Sequence, residues 1–314
     1  MRHLYLACVA SGLLLQSVSA ATAANVASWV ASTGNDSNSC TRAAPCATFA
    51  GALAQTLDGG LIVCADSGSY GTPGSGLTIT QGVEIDCRNV NAIVDITGST
   101  GVVINVTDPV HQSVTIRGVT INGRIGASGR ANAAGVSIQA AQTVALSHVL
   151  VEWFALQGLI DTRTAATNST LELTDSSFAG NTGAGIVLAM TPNNFNISVD
   201  LDNVYSGYNA YGIAVASGNR ARITNSHFPY DPVGVEVDYG GQVALSRSII
   251  DYSSNTAIEN LGTIVVGASD ITYVSTVFSG GGATYTNGNS RMNYYGSLGV
   301  TPTVLPVSQD HGQQ

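Results

Sequence analysis

The stretch Leu173-Thr-Asp-Ser-Ser-Phe178 is one copy of a unit that recurs along the chain. Leu146-Ser-His-Val-Leu-Val151 precedes it, and Leu201-Asp-Asn-Val-Tyr-Ser206, Ile223-Thr-Asn-Ser-His-Phe228 and Leu245-Ser-Arg-Ser-Ile-Ile250 follow, all superposing without gaps. Ile116 to Ile121 and Val266 to Ile271 extend the series at either end. From Ile116 to Val266 the first residues of successive units are separated by 30, 27, 28, 22, 22 and 21 residues. Steps of that size, made of short alternating apolar runs, are what one coil of a parallel β-solenoid requires. The third residue of each unit is polar: His148, Asp175, Asn203, Asn225 and Arg247. Asn and Asp tolerate left-handed backbone angles and bond their own backbone, so a bend between two strands is expected there. A third strand follows at Gly158-Leu159, Gly185-Ile186, Gly212-Ile213, Gly234-Val235 and Ala257-Ile258.

Composition agrees with a strand-and-turn architecture. Charged residues make up only 10% of the 314, glycine is abundant at 36, and every basic side chain is Arg. The net charge of −9 argues against a nucleic acid or an anionic membrane as partner. The absence of Lys removes one kind of catalytic base.

Met1 to Ala20 reads as a secretory signal: Arg2 is followed by a largely apolar run from Leu4 to Leu15 and by Val18-Ser19-Ala20, a small-residue cleavage site. No later segment is long and apolar enough to span a bilayer. An exported chain, secreted or periplasmic, is therefore expected. Four cysteines remain after the signal, an even number in an oxidising context. Of the three connectivities, Cys40–Cys46 and Cys64–Cys87 are favoured, because the second pair is 23 residues apart, one coil, and neighbouring strands lie within disulfide reach. The alternative is a stack of reduced buried thiols. The expected organisation is a signal (1–20), an N-terminal cap (25–60) with a helix-prone run from Ala47 to Leu57 ended by Gly59-Gly60, a β-helix (61–278), and a C-terminal cap and tail (279–314).

The run from Trp29 through Gly34-Asn-Asp36, Pro45 and Thr48-Phe49 to Gly68-Ser-Tyr70 and Leu77-Thr-Ile79 resembles the amino-terminal signature of pectate-lyase-like right-handed parallel β-helix proteins. The variant with Cys40 and Cys46 around Ala43-Ala-Pro45 looks like a group of exported bacterial β-helix repeat proteins of unassigned activity. The resemblance covers nearly the whole mature chain. It implies an all-β, single-stranded right-handed parallel β-helix with a short N-terminal capping helix, and places the third strand on the sheet that carries active sites in enzymes of this fold. It speaks for fold more than for chemistry. The motifs of polygalacturonase-like enzymes and of the main pectate lyases are absent here, and lyases of this fold that use Lys as base are excluded.

Three sets of residues are candidates for function. Seven residues past successive unit starts lie Trp153, Gly180, Tyr208, Tyr230, Tyr252 and Tyr273, an aromatic column with one gap. Facing outward, its rings at one-coil spacing would offer sugars a stacking surface; the competing reading is a corner that staples the coils together. On the third strand, alternation puts Glu236 and Asp238 outward, and Glu259 stands one coil beyond Glu236. Like charges directly opposite are destabilising in a sheet, so solvent, a cation, a shared proton or a substrate must offset them. Paired carboxylates suit a retaining glycosidase, three acids suit Ca²⁺, and a hydrated acidic face is the plain alternative. Glu172, Asp200 and Arg222 form a third, outward set on the strand before the bend, either a salt-bridged exterior or a cation site beside Arg222 as base. Five histidines supply no metal set, and no cofactor motif is present; Ca²⁺ is the one cofactor the pattern admits. The readings that emerge are a polysaccharide-binding protein or envelope scaffold, and a polysaccharide lyase or glycoside hydrolase built on the acidic cluster.

Overall fold

The computed structural model describes residues 24–72, 74–108, 110–164, 169–189 and 197–306. The secretory-signal reading of Met1 to Ala20 and the tail from Asp310 lie outside the described residues. The chain winds into an all-β parallel solenoid with one short helix near its start. One coil shows the plan: strand Arg220–Thr224, a bend, strand His227–Pro229, a corner, and strand Val233–Val237. First strands stack into a 12-stranded parallel sheet; second and third strands form two further parallel ladders, joined in an 18-stranded sheet.

The unit starts come into register. Ile116, Leu146, Leu173, Leu201, Ile223, Leu245 and Val266 pair coil to coil and are all buried. Leu159, Ile186, Ile213, Val235, Ile258 and Phe278 form the facing column on the third strands. The interior is thus a stack of like residues, each buried by its copies above and below. Period-two alternation follows directly: the inward residues pack, and the outward ones make the surface.

Both turns of the coil use left-handed residues. At the first bend φ is 54° at His148, 50° at Asp175, 54° at Asn203, 52° at Asn225 and 49° at Arg247. Beside them runs a serine ladder: Ser226, Ser248 and Ser269 each accept a backbone N–H from the coil before and donate to the carbonyl two residues back. At the second corner Asn181, Asn209 and Asp231 do the same service, each side-chain oxygen accepting a backbone N–H from the preceding coil. Backbone donors that the turns take out of the sheet ladder are thereby satisfied without water.

The amino-terminal end is closed as the resemblance implies, with one difference. The helix is Phe49–Gln55, capped by Thr48, and buries Phe49, Ala52 and Leu53 over the first coil. Gly59-Gly60 does not follow a helix end directly: strand Thr56–Cys64 runs through it, and Gly59 takes φ 77°. The pairing with Asn25–Val30 shifts register here, so the glycines serve an irregular strand. Cys40–Cys46 and Cys64–Cys87 are both bonded, the second with Cα atoms 4.9 Å apart; the reduced-thiol alternative falls. Strands Ala283–Thr286, Arg291–Gly299 and Thr303–Val304 continue the sheets beyond Ser279, where the sequence repeat fades.

Candidate functional site

The aromatic column is real and one ring longer than the sequence suggests. Tyr208, Tyr230, Tyr252, Tyr273 and Tyr294 stack with centroids 4.8 to 5.0 Å apart and planes within 12° of parallel. All five take φ between 52° and 60°, so the column sits on the left-handed second corner. Tyr294 follows Tyr273 by 21 residues, the same step as Tyr252 to Tyr273; that spacing was the signal available for it. The geometry changes what the column offers. Each interior ring turns both faces to its neighbours, which leaves their edges and hydroxyls to solvent. A sugar can stack only on a ring face that has no ring beside it.

Such a place exists at Gly180. No ring stands there, so the Tyr208 face towards it lacks a column neighbour, while Trp153 lies on the far side. Arg124 and Arg130 hold their guanidinium carbons 4.3 and 5.2 Å from the Trp153 ring centroid, and Arg130 Nε donates to the Gly180 carbonyl. They come from a small antiparallel hairpin, Arg124–Ile125 with Gly129–Arg130. This hairpin is the excess of the 30-residue step after Ile116, and the unit alignment gave no hint of it.

The third-strand acids are placed as alternation requires. Glu236 pairs directly with Glu259 in the parallel ladder. Glu236 is half-buried; desolvation first, then the charges of Asp238 and Glu259, push its carboxyl above the ordinary range. The same charges act on Tyr211 one coil earlier, whose phenol is raised chiefly by Glu236, then by burial and by Glu259. Asp238 follows the end of the strand, donating its N–H to the Val215 carbonyl.

On the first-strand sheet, Glu172, Asp200 and Arg222 lie in register, and Arg222 Nε is 3.2 Å from Asp200 Oδ1. Both partners are well exposed, so the pair is worth little by itself. Asp202 accepts bonds from Thr224 and Asn225, which hold its carboxyl low. A groove of about 820 Å³ runs along this sheet. Two outward rows line it: Thr170, Ser198, Arg220, Gln242 and Thr263, and beside them Asp200, Arg222, Ala244 and Val265. At the amino-terminal end of the same sheet, Asp58, Asp108 and His111 bring three ligand atoms within 4.8 Å of one another. Asp58 Oδ2 is 3.0 Å from His111 Nδ1, while two backbone N–H groups hold the Asp108 carboxyl low. These donors suit a divalent cation. Fifty-three residues separate Asp58 from His111, which is why sequence spacing did not join them. His227 lies edge-on to Tyr205 and 2.9 Å from Asp251.

No family model matches the chain, and no curated protein sequence matches it. Among solved structures it is similar to the pectate lyase Pel9A, with a TM-score of 0.61 and 16% identity over 91% of this chain and 80% of that one. It is also similar to the enzymatically active domain of tailspike protein 2 from bacteriophage CBA120, with a TM-score of 0.53 and 10% identity over 80% of this chain. The alignment spans 40% of that tailspike chain. Likeness at these identities concerns the path of the backbone. In fold, the chain is a pectate-lyase-like parallel β-helix.

Proposed function

We propose that this protein is an exported glycan-binding β-helix that holds a polysaccharide along the groove over its first-strand sheet. The observation that carries the reading is the pair of outward rows in that groove. Hydroxyl, amide, carboxylate and guanidinium groups recur there at one-coil spacing, parallel to the axis. A polymer with its own periodic hydroxyls meets such a row repeatedly, so weak single contacts accumulate. Two disulfides and the amino-terminal apolar stretch support export. The polysaccharide class also suits the fold analogy with a pectate lyase.

One observation favours a second reading, hydrolysis. Glu236 and Glu259 are in-register neighbours, and Glu236 is biased towards its protonated form. A raised acid beside a carboxylate is the pairing a retaining glycosidase uses, with Glu236 as general acid and Glu259 as nucleophile. Both readings are tested together by isothermal titration against a polysaccharide panel, with reducing ends and unsaturated uronates assayed in parallel, with and without Ca²⁺. Binding without turnover, weakened at least about tenfold by Ala244→Trp across the groove floor, is the expected result. Equal binding by Ala244→Trp sinks the groove reading. Release of reducing ends that vanishes in Glu236→Gln establishes the hydrolase instead.

A further inference from the structure

Arg124 and Arg130 are placed where two cations should not be without a reason. They face each other as a direct Cα pair in a two-stranded antiparallel hairpin. Like charges directly opposite are destabilising in such a pair. Both residues are exposed, and among the described residues neither is ion-paired with a carboxylate. In the same protein Arg88, Arg117, Arg163, Arg222 and Arg291 each have an acidic partner. The flanking acids along the chain, Asp108 and Glu152, pair with neither arginine. Instead the two guanidiniums converge on one indole, an arrangement that keeps their charge available.

The second observation is the missing ring. The left-handed corner does not demand glycine, because Trp153, Tyr208, Tyr230, Tyr252, Tyr273 and Tyr294 all adopt it with large side chains. At Gly180 an added Cβ would meet Trp153 ring atoms no closer than 3.6 Å, an ordinary contact. Neither backbone nor local crowding excludes a side chain. What the glycine does is leave the column without a ring between Trp153 and Tyr208, at the corner whose carbonyl accepts the Arg130 Nε–H.

We propose that Arg124, Arg130, Trp153 and the ringless corner at Gly180 form a subsite for an acidic sugar unit of a polysaccharide. The sugar ring stacks in the space that a tyrosine would otherwise fill, and its anionic group is held by the two guanidiniums, whose planar forks match a carboxylate or sulfate. Bound anion also relieves the Arg124–Arg130 repulsion, so binding and hairpin order support each other. The net charge of −9 opposes a polyanion at long range, but screening limits that opposition to about 8 Å at physiological salt. The local sign is set by the arginines. This inference rests on the glycan-binding reading and adds to it a site for an acidic unit at the second corner, apart from the first-strand groove.

The test is titration of the full mature chain with polygalacturonate, dextran sulfate and neutral dextran, for the unchanged protein, Arg124→Gln/Arg130→Gln and Gly180→Tyr. Gly180→Tyr completes the column and should keep or raise the thermal midpoint, so a folding defect does not mimic lost binding. Expected is binding of an acidic polymer that falls about tenfold or more in both variants, through the missing charge-assisted pair in Arg124→Gln/Arg130→Gln and through the filled stacking position in Gly180→Tyr. Preference for polygalacturonate assigns a carboxylate to the subsite; preference for dextran sulfate assigns a sulfate. Acidic-polymer binding unchanged within twofold in both variants overturns the subsite. Binding of dextran alone overturns it while leaving glycan binding intact, and binding of none overturns both.

Discussion

Asp231 is the least expected side chain in the molecule. It continues the buried Asn181–Asn209 ladder with an acid, accepting the Asn209 N–H through Oδ1 while Oδ2 has no partner. Burial pushes its carboxyl up to about 8, against the weaker lowering by Asn209. The folded protein therefore holds a proton that the unfolded chain releases near pH 3.8. The contribution of Asp231 to stability is highest below that value, falls as pH rises towards about 8, and levels off above it. Asp231→Asn restores the side chain of the two preceding coils and removes this dependence. Thermal midpoints at pH 5 and pH 8.5 should differ less in Asp231→Asn than in the unchanged protein, with the variant the more stable at the higher pH. Equal pH dependence in both would mean that Asp231 is ionised in place. The sequence showed an Asp here without showing that it is interior, because Tyr230-Asp-Pro232 reads as an ordinary exposed turn. Its ladder position appears only when coils are stacked.

At the scale of elements, the tyrosine stack and the turns decide how coils hold together. Tyr252 has a ring on each side, at 4.8 and 5.0 Å, whereas Tyr294 stacks on Tyr273 alone at 4.9 Å. An aromatic pair contributes about 0.5–1.5 kcal/mol beyond area burial. Tyr252→Ala should therefore cost about 1–3 kcal/mol in denaturant unfolding, and Tyr294→Ala roughly half as much. Equal losses at the two sites would show that stacking is not the source. The column and the first bend were legible in the sequence, since each recurs at a fixed offset from the unit starts; that the tyrosines also take left-handed angles shows only in the structure. The hairpin at Arg124–Arg130 was not, because an insertion occurs once and carries no repeat. A buried clamp was also hidden: Arg163 is almost inaccessible, pairs with Asp161, and donates to the carbonyls of Ala141, Gln142 and Thr170. Only the fold shows that this arginine ties one coil to the next.

For the whole molecule, stability is a sum of neighbouring coils, and cross-links matter most where a coil lacks a neighbour on one side. Cys64–Cys87 joins residues 23 apart and Cys40–Cys46 residues 6 apart. Loop-closure entropy gives about 3 kcal/mol for the longer loop and about 2 kcal/mol for the shorter. Replacing both cysteines of each pair with Ala, followed by denaturant titration, should reproduce that order; a larger loss at Cys40–Cys46 would point to strain relief or cap packing instead. The sequence by itself determined the solenoid, its coil length, its inward columns and the left-handed first bend, and it favoured the two disulfides that the structure shows. Those features repeat, and repetition turns local spacing into three-dimensional register. Only the tertiary structure decided that the tyrosines spend their faces on one another and that the ringless corner at Gly180 lies beside Trp153 and its two arginines. It also decided that Asp58, Asp108 and His111 meet, and that Asp231 is sealed inside. Each depends on side chains brought together from different coils or from single insertions, where position along the chain carries no information about distance.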